Sequence, residues 1–458
     1  MADDIVVALQ KALGDSAVES GDAIGRRYWC DATGVAPHSP LALVRPRTTD
    51  EVASILRLCN DRHQPVIAQG GLTGLAGGAT PRGGEIALSL ERMTGIEEID
   101  PAAATITVKA GTPLQIVQEA AADAGFMLGL DLGARGSAQI GGNISTNAGG
   151  IRVIRYGMTR EQVLGLEVVL ADGTILTSLN KMLKNNTAYD LKHLFIGSEG
   201  TLGVVTRAVL RLHPRPSDLL TALCALPSYE AVVAFLRHAQ QALGQVSAFE
   251  AMWLDAYDFV ASRREGAPPI ASVHPFYVII EHAGTDPDAD AQAFEAMLAA
   301  AHERRLLIDV TVAQSEKQAR AIWAIREGIA EWENIVGQIH LDVSLPIGAI
   351  GDFAERCRAR LESEWPDLIA TFYGHIGDSN LHVSLAPGTD DDATRHGAEA
   401  AVYDTVRDFN GSISAEHGIG TLKRDFLAYS RTPAELALMR TLKAALDPNN
   451  ILNPGKVL

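Results

Sequence analysis

The sequence predicts an α+β protein of two or three domains, and three observations carry that prediction. Helical apolar stripes and short alternating strands are interleaved along the chain, and three glycine-rich stretches crowd its first half. The composition then changes at "HPRPS", 213–217, where two prolines close the glycine-rich half. At 458 residues the chain also exceeds one ordinary hydrophobic core.

A helix starts at Thr48, where Thr48 and Glu51 read as a capping box and Val52, Ile55, Leu56 and Cys59 recur at helical spacing. A short strand, "PVIA" at 65–68, follows. Next comes "QGGLTGLAGGATPRGGEIALSL", whose glycines at 70–78 lead into another strand and not into a helix. That order excludes the Rossmann fingerprint, which needs its glycines between a strand and a helix, and no Gly-Lys-Ser/Thr ending marks a P-loop. Alternating strands recur at "TITVKAG" (105–111), "LGLEVVLADGTIL" (164–176, turning at Asp172-Gly173) and "VVTRAVLRLHP" (204–214). Beyond the prolines, strands such as "PFYVIIEH" (275–282) alternate with helices such as "DADAQAFEAMLAAAHER" (288–304), as in an α+β cap domain. The tail is read as helical between "SAEHGIG" and "LDPNNILNPGK". The resulting division is 1–36, 37–216, 217–410 and 411–458.

"YGHIGDSNLHVSL", 373–385, places two histidines around a Gly-Asp-Ser-Asn centre. Its glycines and β-rich flanks favour a hairpin. With Asp378 and Ser379 as the turn, Gly377 pairs with Asn380, Ile376 with Leu381 and His375 with His382. Opposed imidazoles on one face can bite a single metal ion, or can simply hydrogen-bond to backbone; a third ligand decides between these.

A formal net charge of −17 argues against nucleic acid as a partner, and it means that an anionic substrate must be captured by local cations. The start, "MADDIVVALQKALG", carries acid where a signal peptide carries base, and no apolar run is long enough to span a bilayer, so a cytoplasmic protein is expected. The four cysteines, Cys30, Cys59, Cys224 and Cys357, are scattered without a C-x-x-C, which encodes neither an iron-sulfur cluster nor a thiolate zinc site.

Glycine-rich loops let several backbone N–H groups converge on an anion. Three of them, 70–78, "GARGSAQIGGNISTNAGG" (133–150) and "GSEGTLG" (197–203), each read as lying beside a strand, fit a long phosphate-bearing ligand such as a dinucleotide. Tight turns in a β-rich fold remain the alternative.

Taken in order with "RPRTTDEV" before them and "SAEHGIG" and "NPGK" after, the loops resemble the flavin-dependent dehydrogenases and oxidases of the vanillyl-alcohol oxidase type, over nearly the whole chain from about residue 37. Within that group the chain is similar to the D-2-hydroxyacid dehydrogenases, the branch of D-lactate and D-2-hydroxyglutarate dehydrogenases and the flavin subunit of glycolate oxidase. The resemblance implies a two-subdomain FAD-binding domain, a ferredoxin-like α+β substrate domain and a C-terminal helical segment completing the site. It implies FAD bound around Gly70, Gly71, Leu72, Thr73 and Gly74, with Gly142, Ser145, Thr146, Gly149, Gly203 and Asn453 lining the rest. Some relatives attach FAD through a histidine where this chain has Leu72, so non-covalent FAD is expected here.

The resemblance also supplies the third ligand. Residue by residue, His375 and His382 of the G-H-x-G-D-x-N-x-H pattern and Glu416 of the E-H-G pair match the ligands of a divalent ion, zinc or manganese. It assigns His417 as the proton acceptor and Arg326 as the cation for the substrate carboxylate, although an arginine on a helix is ordinarily a solvated one. Around the substrate, D-2-hydroxyglutarate enzymes carry Thr, Lys and Asn where this chain has Ala330, His340 and Ser384, which tilts expectation towards a monocarboxylate such as D-lactate, or an uncommon 2-hydroxy acid. Ser379 replaces the usual turn glycine. With no cluster or haem motif in the chain, electrons are expected to leave for a separate acceptor, whether an electron-transfer flavoprotein, a quinone, a cytochrome or oxygen; a homodimer stays open. A metal-hydroxide hydrolase is the competing chemistry, but it has no H-E-x-x-H helix to rest on and leaves the first 216 residues unexplained; a non-catalytic flavin subunit of a larger complex is the other alternative, which loss of His417 and Arg326 would have favoured.

Overall fold

The computed structural model describes residues 2–329, 338–389 and 391–458. They form two compact units: one holds the chain up to Gly150, Gly157–Arg215 and Glu416–Leu458, the other Ile151–Tyr156 and Pro216–Ala415.

The first unit is built on two sheets. In one, Ala42–Val44, Ile86–Ser89 and Val66–Gln69 run parallel, with Val18–Ser20 antiparallel at the edge. Those parallel strands are apolar runs because both of their faces are covered. The other sheet is antiparallel, in the order Ile96–Asp100, Thr105–Lys109, Val204–Arg211, Val163–Val169, Ile175–Ser178, and its last hairpin turns at Asp172-Gly173. One hydrophobic core serves both sheets: Val66 and Leu88 from the first meet Val108, Val168 and Ala208 from the second. Ile5 and Leu9 of the N-terminal helix and Ile451 and Leu452 of the tail bury themselves in the same core, so both ends of the chain belong to this unit.

The helix Thr49–Asp61 buries Val52, Ile55, Leu56 and Cys59, the stripe read from the sequence. Its capping box is only half formed. Thr48 Oγ1 accepts from the Glu51 N–H at 3.2 Å, but the Glu51 carboxylate accepts from the Arg47 N–H at 2.5 Å, one residue earlier than the motif requires. The strand expected through 214 stops at Arg211, and His213–Pro214 makes a separate two-residue pair with Phe126–Met127. The middle glycine stretch does not lie along a strand; it contains the short helix Ile140–Ser145. In the tail, the helix Pro433–Leu446 starts with a full capping box of Thr432 and Glu435. Buried Lys456 then fastens the tail to the first glycine stretch, donating to the carbonyls of Gly77 and Thr80 and to Thr421 Oγ1; burial pushes its amine down to about 8.

The second unit is a fully antiparallel seven-stranded sheet. Its first four strands in chain order, Asp218–Leu226, Val246–Trp253, Phe276–Gly284 and Asp309–Val312, lie in the order fourth, first, third, second, with the helices Tyr229–Ala242 and Pro287–Glu303 in the two crossovers. That is the ferredoxin-like split β-α-β arrangement. Ile369–Gly374, Asn380–Ala386 and Ile339–Ser344 extend it from the edge of Val246–Trp253.

The histidine hairpin has another register than the one counted from the sequence. His382 lies opposite Tyr373, not opposite His375. The link between the strands is not a two-residue turn but a 3-10 turn, Ile376–Asp378, closed by Ser379 at φ 75°, and His375 caps the start of that turn. Leaving the strand early moves His375 out of the ladder by two positions.

Candidate functional site

In the first unit the glycine stretches enclose a cavity of about 400 Å³. Every residue that the resemblance assigned to the cofactor lines it: the run Gly70 to Gly74, then Gly142, Ser145, Thr146, Gly149, Gly203 and Asn453. Two glycines show what the wall is for. A Cβ on Gly71 would sit 2.0 Å from the Ser137 carbonyl oxygen, so the first two stretches touch backbone to backbone. A Cβ on Gly142 would meet no protein atom within 4 Å, so packing does not demand glycine there and the backbone stands open to the cavity.

Sequence reasoning missed four polar side chains of this wall. Asp31, Gln69, Gln139 and Asn143 are at most 9% exposed, and Asp31 Oδ2, Gln69 Oε1, Gln139 Oε1 and Asn143 Nδ2 lack a protein partner. Buried polar atoms carry a desolvation cost unless something pairs with them, and a long polar cofactor supplies donors and acceptors along its length. The cavity therefore fits FAD. Leu72 adopts φ 60° and packs its side chain on the apolar cluster of Ile24, Tyr28, Leu43, Ile67 and Ala87, offering no nucleophile to a flavin.

Glu416 and His417 also line this cavity, and a buried acid holds their loop. Glu199 accepts from the Ile419 N–H at 2.7 Å and the Gly420 N–H at 2.8 Å; burial raises its carboxyl above the usual range, against the pull of those two N–H groups. Asn453 spans the same corner, donating to the Glu199 carbonyl and accepting from the Ala68 N–H.

In the second unit the sheet carries cross-strand rows of polar residues. Asp342, His382 and Tyr373 form one row; His340, Ser384 and Thr371 form the next. Although His375 has left the ladder, the centroid of its ring lies 5.3 Å from that of His382. His375 Nδ1 lies 2.5 Å from Glu250 Oε1 and Arg326 Nε lies 2.9 Å from Glu250 Oε2. Burial pushes the Glu250 carboxyl up, but His375 and Arg326 outweigh it and hold the group below the usual carboxylate range. Since a carboxylate only accepts, His375 Nδ1 is the donor to Glu250 Oε1.

Arg326 is not a solvated helix arginine. Its side chain is 13% exposed and its guanidinium stacks 4.6 Å from the Tyr373 ring centroid. His340 Nδ1 and Ser384 Oγ are 2.9 Å apart, and Ser384 Oγ reaches the Tyr373 hydroxyl at 3.5 Å. Ala330 lies outside the described residues. Asp342, fully buried, accepts from the Ala415 N–H at 3.0 Å, and Glu416 is the next residue of the chain. Glu250 and Asp342 were not found from the sequence, although each is a lone acid in an apolar strand, "SAFEAMW" and "HLDVSL", which is itself a signal.

Comparison with known proteins agrees with both halves. Residues 40–178 match the family described as FAD binding domain, and residues 215–457 match FAD linked oxidases, C-terminal domain. The mitochondrial D-2-hydroxyglutarate dehydrogenase of Bos taurus is 42% identical over 92% of this chain and 77% of its own. The D-2-hydroxyglutarate dehydrogenase of Xanthomonas citri pv. viticola is 40% identical over 100% of this chain and 97% of its own. A crystal structure of p-cresol methylhydroxylase with substrate bound superposes with a TM-score of 0.79 over 99% of this chain and 96% of that one, at 18% identity, which speaks for the fold alone. Among the described residues no helix is long and apolar enough to cross a membrane. The chain belongs to the FAD-linked oxidases and is an FAD-dependent dehydrogenase of their D-2-hydroxyacid branch.

Proposed function

We propose that the enzyme oxidises a D-2-hydroxy acid of the D-2-hydroxyglutarate or D-lactate type to the 2-oxo acid, assisted by a divalent ion, zinc or manganese. The observation that carries this reading is the pair of contacts made by one buried carboxylate: Glu250 holds Arg326, a cation suited to a substrate carboxylate, and His375, a histidine of the motif that matches metal ligands. When bound, FAD supplies the two-electron acceptor, and the ion supplies a Lewis acid that makes the substrate hydroxyl more acidic.

Within this reading Arg326 forks the substrate carboxylate through its terminal nitrogens, since Glu250 engages only Nε. By the family resemblance His375, His382 and Glu416 would hold the ion, and His417, beside Glu416 in the sequence, would take the hydroxyl proton. His340 and Ser384 meet the far end of the substrate, and their pairing at 2.9 Å sets the choice between a dicarboxylate and a monocarboxylate. FAD is held non-covalently, because Leu72 gives it nothing to bond to. Electrons leave for a separate acceptor: an electron-transfer flavoprotein, a quinone, a cytochrome or oxygen.

The test is the anaerobic absorbance spectrum of the purified enzyme during addition of D- and L-2-hydroxy acids, with zinc or manganese and after chelation. Bleaching of the flavin band by D-acids alone, lost on chelation and restored by metal, is the expected result, and the ranking of D-lactate against D-2-hydroxyglutarate names the substrate. Flavin that no 2-hydroxy acid bleaches would remove the substrate class; bleaching indifferent to chelation would remove the metal.

A further inference from the structure

We propose that Glu250 is a positioning residue that sets the metal-ligating His375 and the substrate-binding Arg326 in fixed relation through the two oxygens of one carboxylate. The inference rests on the metal-dependent reading above and adds a residue that neither the sequence motif nor the family match points to.

Glu250 is fully buried in the strand Val246–Trp253, opposite Ile279. A charge in such a place lowers stability unless its partners offset the desolvation, and an apolar substitute of the same volume is often no worse. Packing therefore does not account for the acid; its two partners do. Oε1 accepts from Nδ1 of His375 and so fixes the orientation of that ring. Oε2 fixes Arg326 through Nε, which also orients the guanidinium over Tyr373. Tyr373 lies opposite His382, the second histidine. A rotation of the Glu250 carboxylate would thus disturb the first ligand and the substrate cation together.

A glutamine has the same shape but one acceptor fewer. It must turn its NH₂ either to His375, where it invites the tautomer with the proton on Nε2, or to Arg326, where donor meets donor. The experiment uses the FAD-loaded enzyme stripped of metal, titrated with zinc against a competing chromophoric chelator, for the wild type, E250Q and E250D, followed by steady-state kinetics at saturating zinc. E250Q is expected to bind zinc about 10–100-fold more weakly with unchanged flavin content, and E250D, which keeps the charge at shorter reach, to recover part of the loss. At saturating zinc, E250Q is expected to show about a tenfold higher KM for the hydroxy acid through the loosened Arg326, a larger change than in kcat.

A merely structural Glu250 would lower the melting temperature and leave zinc affinity alone. Zinc binding by E250Q as tight as by the wild type would overturn the inference and leave the metal reading standing. A wild type that takes up no divalent ion would overturn both. If E250Q fails to fold, the same comparison passes to E250D, where wild-type affinity would again overturn it.

Discussion

The two units reach a binding site by opposite means. In the first, the cavity wall is mostly backbone: three glycine stretches and a few polar side chains, with Glu199 turned to hold a loop. In the second, a sheet face carries rows of polar side chains around a buried Glu250 that holds Arg326 and His375. A cofactor that presents many weak contacts suits the first construction, since each N–H contributes little and the sum is large. A small anionic substrate with one scissile C–H suits the second, where a few strong and oriented charges carry the energy. Each region should then fail in its own way when changed.

The largest expected effect is at His417, the side chain of the cavity wall assigned to proton transfer. H417A should slow flavin reduction by about 10²–10⁴-fold while FAD content and the flavin spectrum stay as in the wild type. Stopped-flow reduction under nitrogen measures the first, and the ratio of absorbance at the flavin band to protein measures the second. Equal losses in both would erase the division between a wall that binds and groups that react. Next comes Arg326. R326K keeps the charge but loses the fork and the stacking on Tyr373, and should raise KM by about 10–100-fold with FAD binding untouched, as read from initial rates over a wide substrate range.

The glycine wall offers a matched pair of smaller changes. G71A pushes a Cβ to within 2.0 Å of the Ser137 oxygen and should destabilise the apoprotein by about 1–3 kcal/mol, as measured by chemical denaturation. G142A meets no protein atom within 4 Å and lies in the helix Ile140–Ser145, so the apoprotein should be more stable than the wild type by about 0.5–1 kcal/mol. FAD affinity should instead fall by about 1–3 kcal/mol, as measured by flavin fluorescence on binding. If G142A destabilised the apoprotein as G71A does, the cavity would owe its glycines to packing and not to its ligand.

The same contrast decides what could be read from the sequence. The helix Thr49–Asp61 was legible because its apolar stripe is local, and the strands around Asp172-Gly173 because a turn signal parts two apolar runs, although the turn takes three residues, 171–173, and pairs Val169 with Ile175. The wall glycines were legible as a compositional excess. Asp31 was not, because residues 1–36 carry no pattern tying them to the glycine loops; only the fold brings Asp31 to the cavity. Glu250 was hidden for the same reason: 125 positions separate it from His375, and one acid in an apolar strand announces burial without naming a partner. The histidine register went wrong through an assumption about turn geometry. Counting outward from Asp378-Ser379 presumes a two-residue turn, whereas the chain makes a 3-10 turn with one left-handed residue after it.

That left-handed residue gives the smallest and most local test. Ser379 sits at φ 75°, where the Cβ of an L-residue crowds the backbone at a cost of about 1–2 kcal/mol. The hydrogen bonds holding it, from its own N–H to the Ile376 carbonyl and from the Leu345 N–H to its carbonyl, use only backbone, so glycine retains both. S379G should therefore stabilise the folded protein, by about 0.5–1 kcal/mol once the greater freedom of glycine in the unfolded chain is subtracted. Urea denaturation reads this directly. The informative measurement is zinc affinity in the same variant. If Glu250 and the pairing of His382 with Tyr373 fix the two imidazoles, relaxing the turn between them changes stability and leaves zinc affinity alone. A shift in affinity larger than the shift in stability would instead assign the angle between the rings to the turn, and the sheet face would no longer be the part of this unit that holds its chemistry in place.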